Sequence, residues 1–298
     1  MKKFVAFSLC LAMVLPINTY AVGTTDSRTK PVDTMSKAEF ADSLGSVPSA
    51  NSQTATVNHA ELLRDYYFDG FTNSEITELE ENGIYLYSYQ TSAEVEAERQ
   101  LMPLGSGETT MTFVEQPAAA YVPEEDAWLV VAGGKWHDLS WVPFFGGKVG
   151  GYECVGYIFD NSNMSSLSSS SKPRIQEVIA SLLSVTSDLD RDDREVVNYN
   201  LNIDEDEGVG SYMQDRSLLG GHYIGENYAI VVTYDNRFEN VTGDLKSYYV
   251  HTDSGIELES VQLLPTVIGN KPIIVPVPTF NTEDYEFSQV SIPLELGN

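Results

Sequence analysis

The chain has 298 residues, enough for one large core or two modest ones, and an ordinary 42% of them are hydrophobic. Lysine and arginine number 17 against 44 acidic residues, a formal charge of -27. A field of that sign repels nucleic-acid phosphates and anionic lipid heads, which argues against nucleic-acid binding and electrostatic membrane attachment.

Residues 1–21, MKKFVAFSLCLAMVLPINTYA, have the layout of a secretory signal. Lys2 and Lys3 form the basic head, and Phe4 to Leu15 the apolar run. Thr19-Tyr20-Ala21 puts small residues where a signal peptidase reads. The run is too short to span a bilayer comfortably, and no later stretch reaches the length of a transmembrane helix. The expected location is therefore extracellular. Losing Lys2 and Lys3 and no acid takes the charge from -27 to -29. Cys10 leaves with the signal, so Cys154 remains without a disulfide partner in its own chain.

Residues 22–56, rich in Thr, Ser, Asp and Asn, read as a flexible leader with one short helical piece at Lys37 to Leu44. Residues 57–100 read as a helical segment packed on the body. Val57, Leu62, Leu63, Tyr66 and Tyr67 cluster at helical spacing, and Asp69-Gly70 then turns. Thr72 and Glu75 have the spacing of a capping box, and Asn82-Gly83 ends that second helix. From Ile84 the period becomes two.

Residues 101–298 read as a β-rich domain. Thr109 to Gln116 is a strand. Trp128 to Ala132 is near-continuously apolar, as expected of a strand covered on both faces. A second core strand runs from Gly151 to Phe159, and Gly156 lets a neighbour pass close. The glycine pairs 133–134 and 146–147 bracket a loop between the two. It carries Trp136, Trp141, Phe144 and Phe145, the candidate binding residues. Exposed, these rings make a platform for a protein or a glycan; turned inward, they make a hydrophobic plug.

The serine-rich stretch 160–172 reads as a surface loop, and Pro173 with Ile175, Val178, Ile179, Leu182 and Leu183 fits a helix to about Ser184. Ala229 to Tyr234 is a buried strand. Leu245 to Thr252 and Ile256 to Leu264 read as a hairpin around Asp253-Ser-Gly255. Pro272, Pro276, Pro278 and Pro293 suit edge strands. The fold class is mainly β, with β-sandwich-like antiparallel sheets and a short helical N-terminal segment.

No motif names a chemistry. Acidic runs at Asp188–Asp193 and at Asp204, Asp206 and Asp215 fail the calcium-loop pattern, lacking the glycine or the ligands at the required steps. No cofactor is expected, with a looser calcium site as the alternative. His222 and Glu226 lack the second histidine of a zinc protease. Cys154 as a nucleophile needs His222 or His137 as base and an orienting group such as Asp235, yet it sits inside an apolar strand. The expected function is a secreted, non-catalytic binding protein. A structural or assembly protein of the cell exterior and a secreted hydrolase are the alternatives, and the oligomeric state stays open.

Overall fold

The computed structural model describes residues 30–31, 35–45, 57–101, 112–136, 147–148, 153–184, 196–199, 202–205, 207–217, 223–251, 258–268, 271–280, 287–290 and 294–296. The protein is mainly β. Its four described α-helices lie in the first third: α1 (Lys37–Leu44), α2 (His59–Tyr67), α3 (Asn73–Glu81) and α4 (Ser92–Leu101). The strands in chain order are β1 (Tyr85–Ser88), β2 (Thr112–Val122), β3 (Ala127–Trp136), β4 (Gly147–Lys148), β5 (Glu153–Asp160) and β6 (Ile175–Leu183). Then come β7 (Val196–Tyr199), β8 (Asn202–Glu205), β9 (Gly208–Met213), β10 (Arg216–Ser217), β11 (Tyr223–Ile224) and β12 (Asn227–Asp235). The last are β13 (Asp244–His251), β14 (Leu258–Ile268), β15 (Lys271–Phe280), β16 (Phe287–Val290) and β17 (Leu294–Glu295).

Two antiparallel sheets carry the body. The first has the order β1-β2-β3-β12-β6-β7; the second runs β16-β13-β5-β9-β8, with β17 paired to β13. β10 joins β4 and β11 in a small third sheet, and β14 pairs with β15 as a ribbon that lies against β5. Trp128, Val130 and Ala132 of β3 and Tyr228, Ile230 and Val232 of β12 face a core shared with Val155, Tyr157 and Tyr249 of the second sheet. Leu129, Val131, Ala229 and Val231 face the other way, onto Leu63, Tyr66, Tyr67, Ile76 and Leu79 of α2 and α3. Both faces of the central strands are therefore apolar, which is why their sequence does not alternate.

Helix boundaries follow local chemistry. The Thr72 hydroxyl accepts from the Glu75 amide at 3.2 Å while Glu75 accepts from the Thr72 amide at 2.8 Å, so the expected capping box forms. Ser36 and Glu39 make the same device at the start of α1, which falls on the helical piece read from sequence. Arg64, buried, reaches from α2 to the Ser181 hydroxyl of β6 at 3.1 Å and ties the helical layer to the sheet.

Residues 175–183 are a strand, not the helix that their spacing predicts. β6 lies between β12 and β7, and β-branched Ile175, Val178 and Ile179 suit that setting. A strand covered on both faces and a helix cannot be told apart by period over so short a run. The glycines at 133 and 134 do not open a loop. β3 continues to Trp136, with Gly133 opposite Ala229; a Cβ there would lie 2.1 Å from the Tyr228 carbonyl oxygen. Among the described residues β13 and β14 do not pair as the hairpin read around Asp253 requires. Both edges of β13 are taken by β5 and β16, and β14 turns back on β15 instead.

Gly156 does admit a close neighbour. It stands opposite Gly210 on β9 and Tyr248 on β13, and a Cβ would lie 2.7 Å from Tyr248 Cε1. In the ribbon, Pro272, Pro276 and Pro278 of β15 face Val267, Leu263 and Val261 of β14. The three share one parity, so their missing N–H groups fall on the edge turned away from β14.

Candidate functional site

Two constellations of chemically able groups stand out among the described residues. The first is an open cleft of about 290 Å³. Its floor is a row in register across three strands: Leu129 of β3, Thr233 of β12 and Glu177 of β6. The start of α2 supplies Val57, Asn58, His59 and Ala60, and the turn between β2 and β3 supplies Glu125. His59 Nδ1 and Glu125 Oε1 are 2.6 Å apart, and the Glu125 side chain is 46% exposed. Glu177 is exposed. Thr233 is only 6% exposed, and its hydroxyl has no hydrogen-bond partner among the described residues. The Asn58 side chain accepts from the Ala60 and Glu61 amides, so the first donors of α2 are already used. Val57 is the one large hydrophobic residue exposed among those described.

The second constellation is closed. At one end of the two sheets, Glu153, Asp215, Tyr223, Tyr249, His251 and Trp136 are all buried. Glu153 opens β5 and accepts from the Tyr249 hydroxyl through one oxygen, while His251 Nδ1 meets the other. The Tyr223 hydroxyl donates to Asp215 Oδ2. The Trp136 ring stands edge-on to His251, with centroids 4.8 Å apart, and the Tyr228 and Tyr249 rings stack at 3.9 Å. Asp215 Oδ1 meets no donor among the described residues, yet the side chain lies within hydrogen-bonding reach of Glu153. Two carboxyl groups can bond only through a shared proton. Burial first, and the Glu153 charge second, push the Asp215 carboxyl up to about 9, so it holds that proton at neutral pH. The same two causes raise the Tyr223 and Tyr249 phenols well above their ordinary range.

Of the four candidate binding residues, Trp136 is buried as the last residue of β3. Trp141, Phe144 and Phe145 lie outside the described residues, as do His137, His222, Asp188–Asp193 and Asp206. Asp235 binds Arg237 and the Arg174 amide and is not near Cys154 in any described contact. Cys154 is buried with its Sγ 3.7 Å from the Tyr248 hydroxyl, and burial pushes the thiol up to about 12. It is a core residue in ionisation and access. Iodoacetamide at about pH 8 is expected to leave the Cys154 peptide unmodified in the native protein and to alkylate it fully in denaturant, as read by mass spectrometry. Native modification at the rate of a free thiol overturns that assignment.

The cleft was not legible in sequence. His59 is one of four histidines without a motif, and the Leu129-Thr233-Glu177 row depends on strand register. The one usable signal for the closed cluster was that His251 ends the apolar run Tyr248–Val250. No group of three or more His, Cys, Asp or Glu residues could hold a metal ion among the described residues. No described helix is long and apolar enough to cross a membrane.

No family model matches the chain, and no curated protein matches it. A solved structure described as "pH-induced modulation of Streptococcus parasanguinis adhesion by Fap1 fimbriae" aligns over 61% of this chain and 79% of that one. The identity is 10% and the TM-score 0.27, and at those values the likeness carries no argument about function.

Proposed function

We propose that the protein is an exported, acidic binding protein without catalytic activity, its body a β-sandwich with helices packed on one outer face. One observation carries this reading: among the described residues the Glu153–Asp215 carboxyl pair is buried, while the cleft at the start of α2 is open and lined by Glu125 and Glu177. The basic head and apolar run of residues 1–21 support export. Proteins and glycans are the partner classes that suit an acidic surface outside the cell.

A hydrolase is the second reading, favoured by the Glu153–Asp215 pair. A carboxyl that stays protonated beside one that accepts hydrogen bonds is the arrangement used for acid–base work. Both readings meet in one experiment. The full-length protein is applied to glycan and protein arrays and, in parallel, to chromogenic ester, peptide and glycoside substrates. Saturable array binding with no turnover above a protein-free blank is the expected result, and turnover that persists in a Glu153→Gln variant overturns it in favour of the open cleft. Turnover that disappears in Glu153→Gln overturns the reading and moves the function to the buried pair.

A further inference from the structure

The geometry points to the cleft beside α2 as a site for a primary aliphatic ammonium group, as carried by a lysine side chain or a free alkylamine. This deepens the binding function proposed above and rests on it.

Charge sets the sign of the ligand. Glu125 and Glu177 line the cleft, and His59 can offset one of them at most. The protein as a whole is strongly acidic, at -27. The usual claim of a helix start on an anion is already met inside the protein, because Asn58 occupies the Ala60 and Glu61 amides. An anion would face two carboxylates with few donors to meet it. A metal ion is not favoured either, since the described residues hold no set of three ligands.

Shape and polarity narrow the class further. The lining is mostly polar, and exposed Val57 supplies one apolar surface at the cleft along which a hydrocarbon stem can lie. Thr233 is the second, independent pointer. The residue is 6% exposed and lines the cleft, and its hydroxyl, with no partner among the described residues, is placed to accept from a donor that enters there. An ammonium has three N–H donors and no acceptor. Glu177 and Thr233 are direct cross-strand partners, so one donor group can meet both, and a third donor remains for Glu125. A guanidinium is wider and planar, and suits a bidentate fork rather than three separate acceptors.

The test titrates the full-length protein with N-acetyl-lysine-N-methylamide, with 1-aminopentane, and with the uncharged N-acetyl-norleucine-N-methylamide. Binding is followed by NMR shifts of the Thr233 and Glu177 amides. Both amines are expected to bind with a Kd on the order of a millimolar, while the norleucine compound does not bind. Preference for the peptide form assigns a protein lysine; preference for aminopentane assigns a free amine. Glu177→Gln, a change at an exposed side chain, is expected to weaken binding at least tenfold, and Thr233→Val about fivefold. Equal binding of the norleucine compound overturns the proposal, as does a Glu177→Gln variant of unchanged fold and affinity. An amine null beside positive glycan or protein arrays sinks the amine alone, whereas a null on every surface sinks the binding function with it.

Discussion

Replacing Asp215 with asparagine is expected to stabilise the protein at neutral and mildly alkaline pH and to leave it unchanged in acid. The folded carboxyl titrates at about 9, whereas an unfolded aspartate titrates at about 3.9. Below about pH 4 both states hold the proton, and the group favours neither. Above that, the unfolded chain releases its proton and the folded one cannot. Stability therefore falls as pH rises, until the folded group ionises too at about pH 9. Each pH unit in the window costs at most about 1.4 kcal/mol, and relaxation around a buried pair lowers the sum. A gain on the order of 3 kcal/mol at about pH 8 is the expected size. Asparagine copies the protonated acid: its oxygen accepts from Tyr223, and its amide donates to Glu153. Urea melts of both proteins at about pH 4 and pH 8 make the comparison. A variant equally destabilised at both pH values would falsify the shared-proton picture.

Gly156→Ala is expected to cost about 3 kcal/mol or more, the upper end of what overpacking costs. The new methyl lies 2.3 Å from the Val209 carbonyl oxygen and 2.7 Å from Gly210 Cα, so the backbones of β5 and β9 must part. Gly210→Ala meets a different obstacle, the Tyr248 hydroxyl at 2.0 Å. The two therefore respond differently to Tyr248→Phe. Removing the hydroxyl is expected to recover much of the loss in Gly210→Ala and little of it in Gly156→Ala. Gly45→Ala serves as the control, because its nearest contact is an ordinary 3.4 Å. Thermal melts of the set decide the matter. Rescue of both glycine variants by Tyr248→Phe would place the clash in the ring rather than in the backbone.

Legibility in the sequence follows how local each signal is. The capping box at Thr72 and the turn at Asp69-Gly70 need only neighbours along the chain, and both stand as read. β3 and β12 were legible because burial on both faces leaves an unbroken apolar run. Burial of both faces in the second half of β6, from Ile179 to Leu183, hid it, because its five apolar residues sit as comfortably on a helical wheel as between two strands. Gly133 and Gly134 look like punctuation until their partners are known; the close Tyr228 carbonyl explains the first of them. Thr233 joins the cleft through register, and Asp215 joins Glu153 across 62 residues of chain. No local pattern encodes pairings of that kind.

The three prolines of β15 bear on what happens when many copies crowd together. A fibril grows when an incoming strand finds donors and acceptors in alternation along an exposed edge. The outer side of β15 offers carbonyl oxygens but no N–H at 272, 276 or 278. A newcomer laid along it would leave carbonyls of its own unsatisfied, at about 1–3 kcal/mol apiece once water is excluded. An edge of this kind lets copies of the chain crowd together without templating their own precipitation.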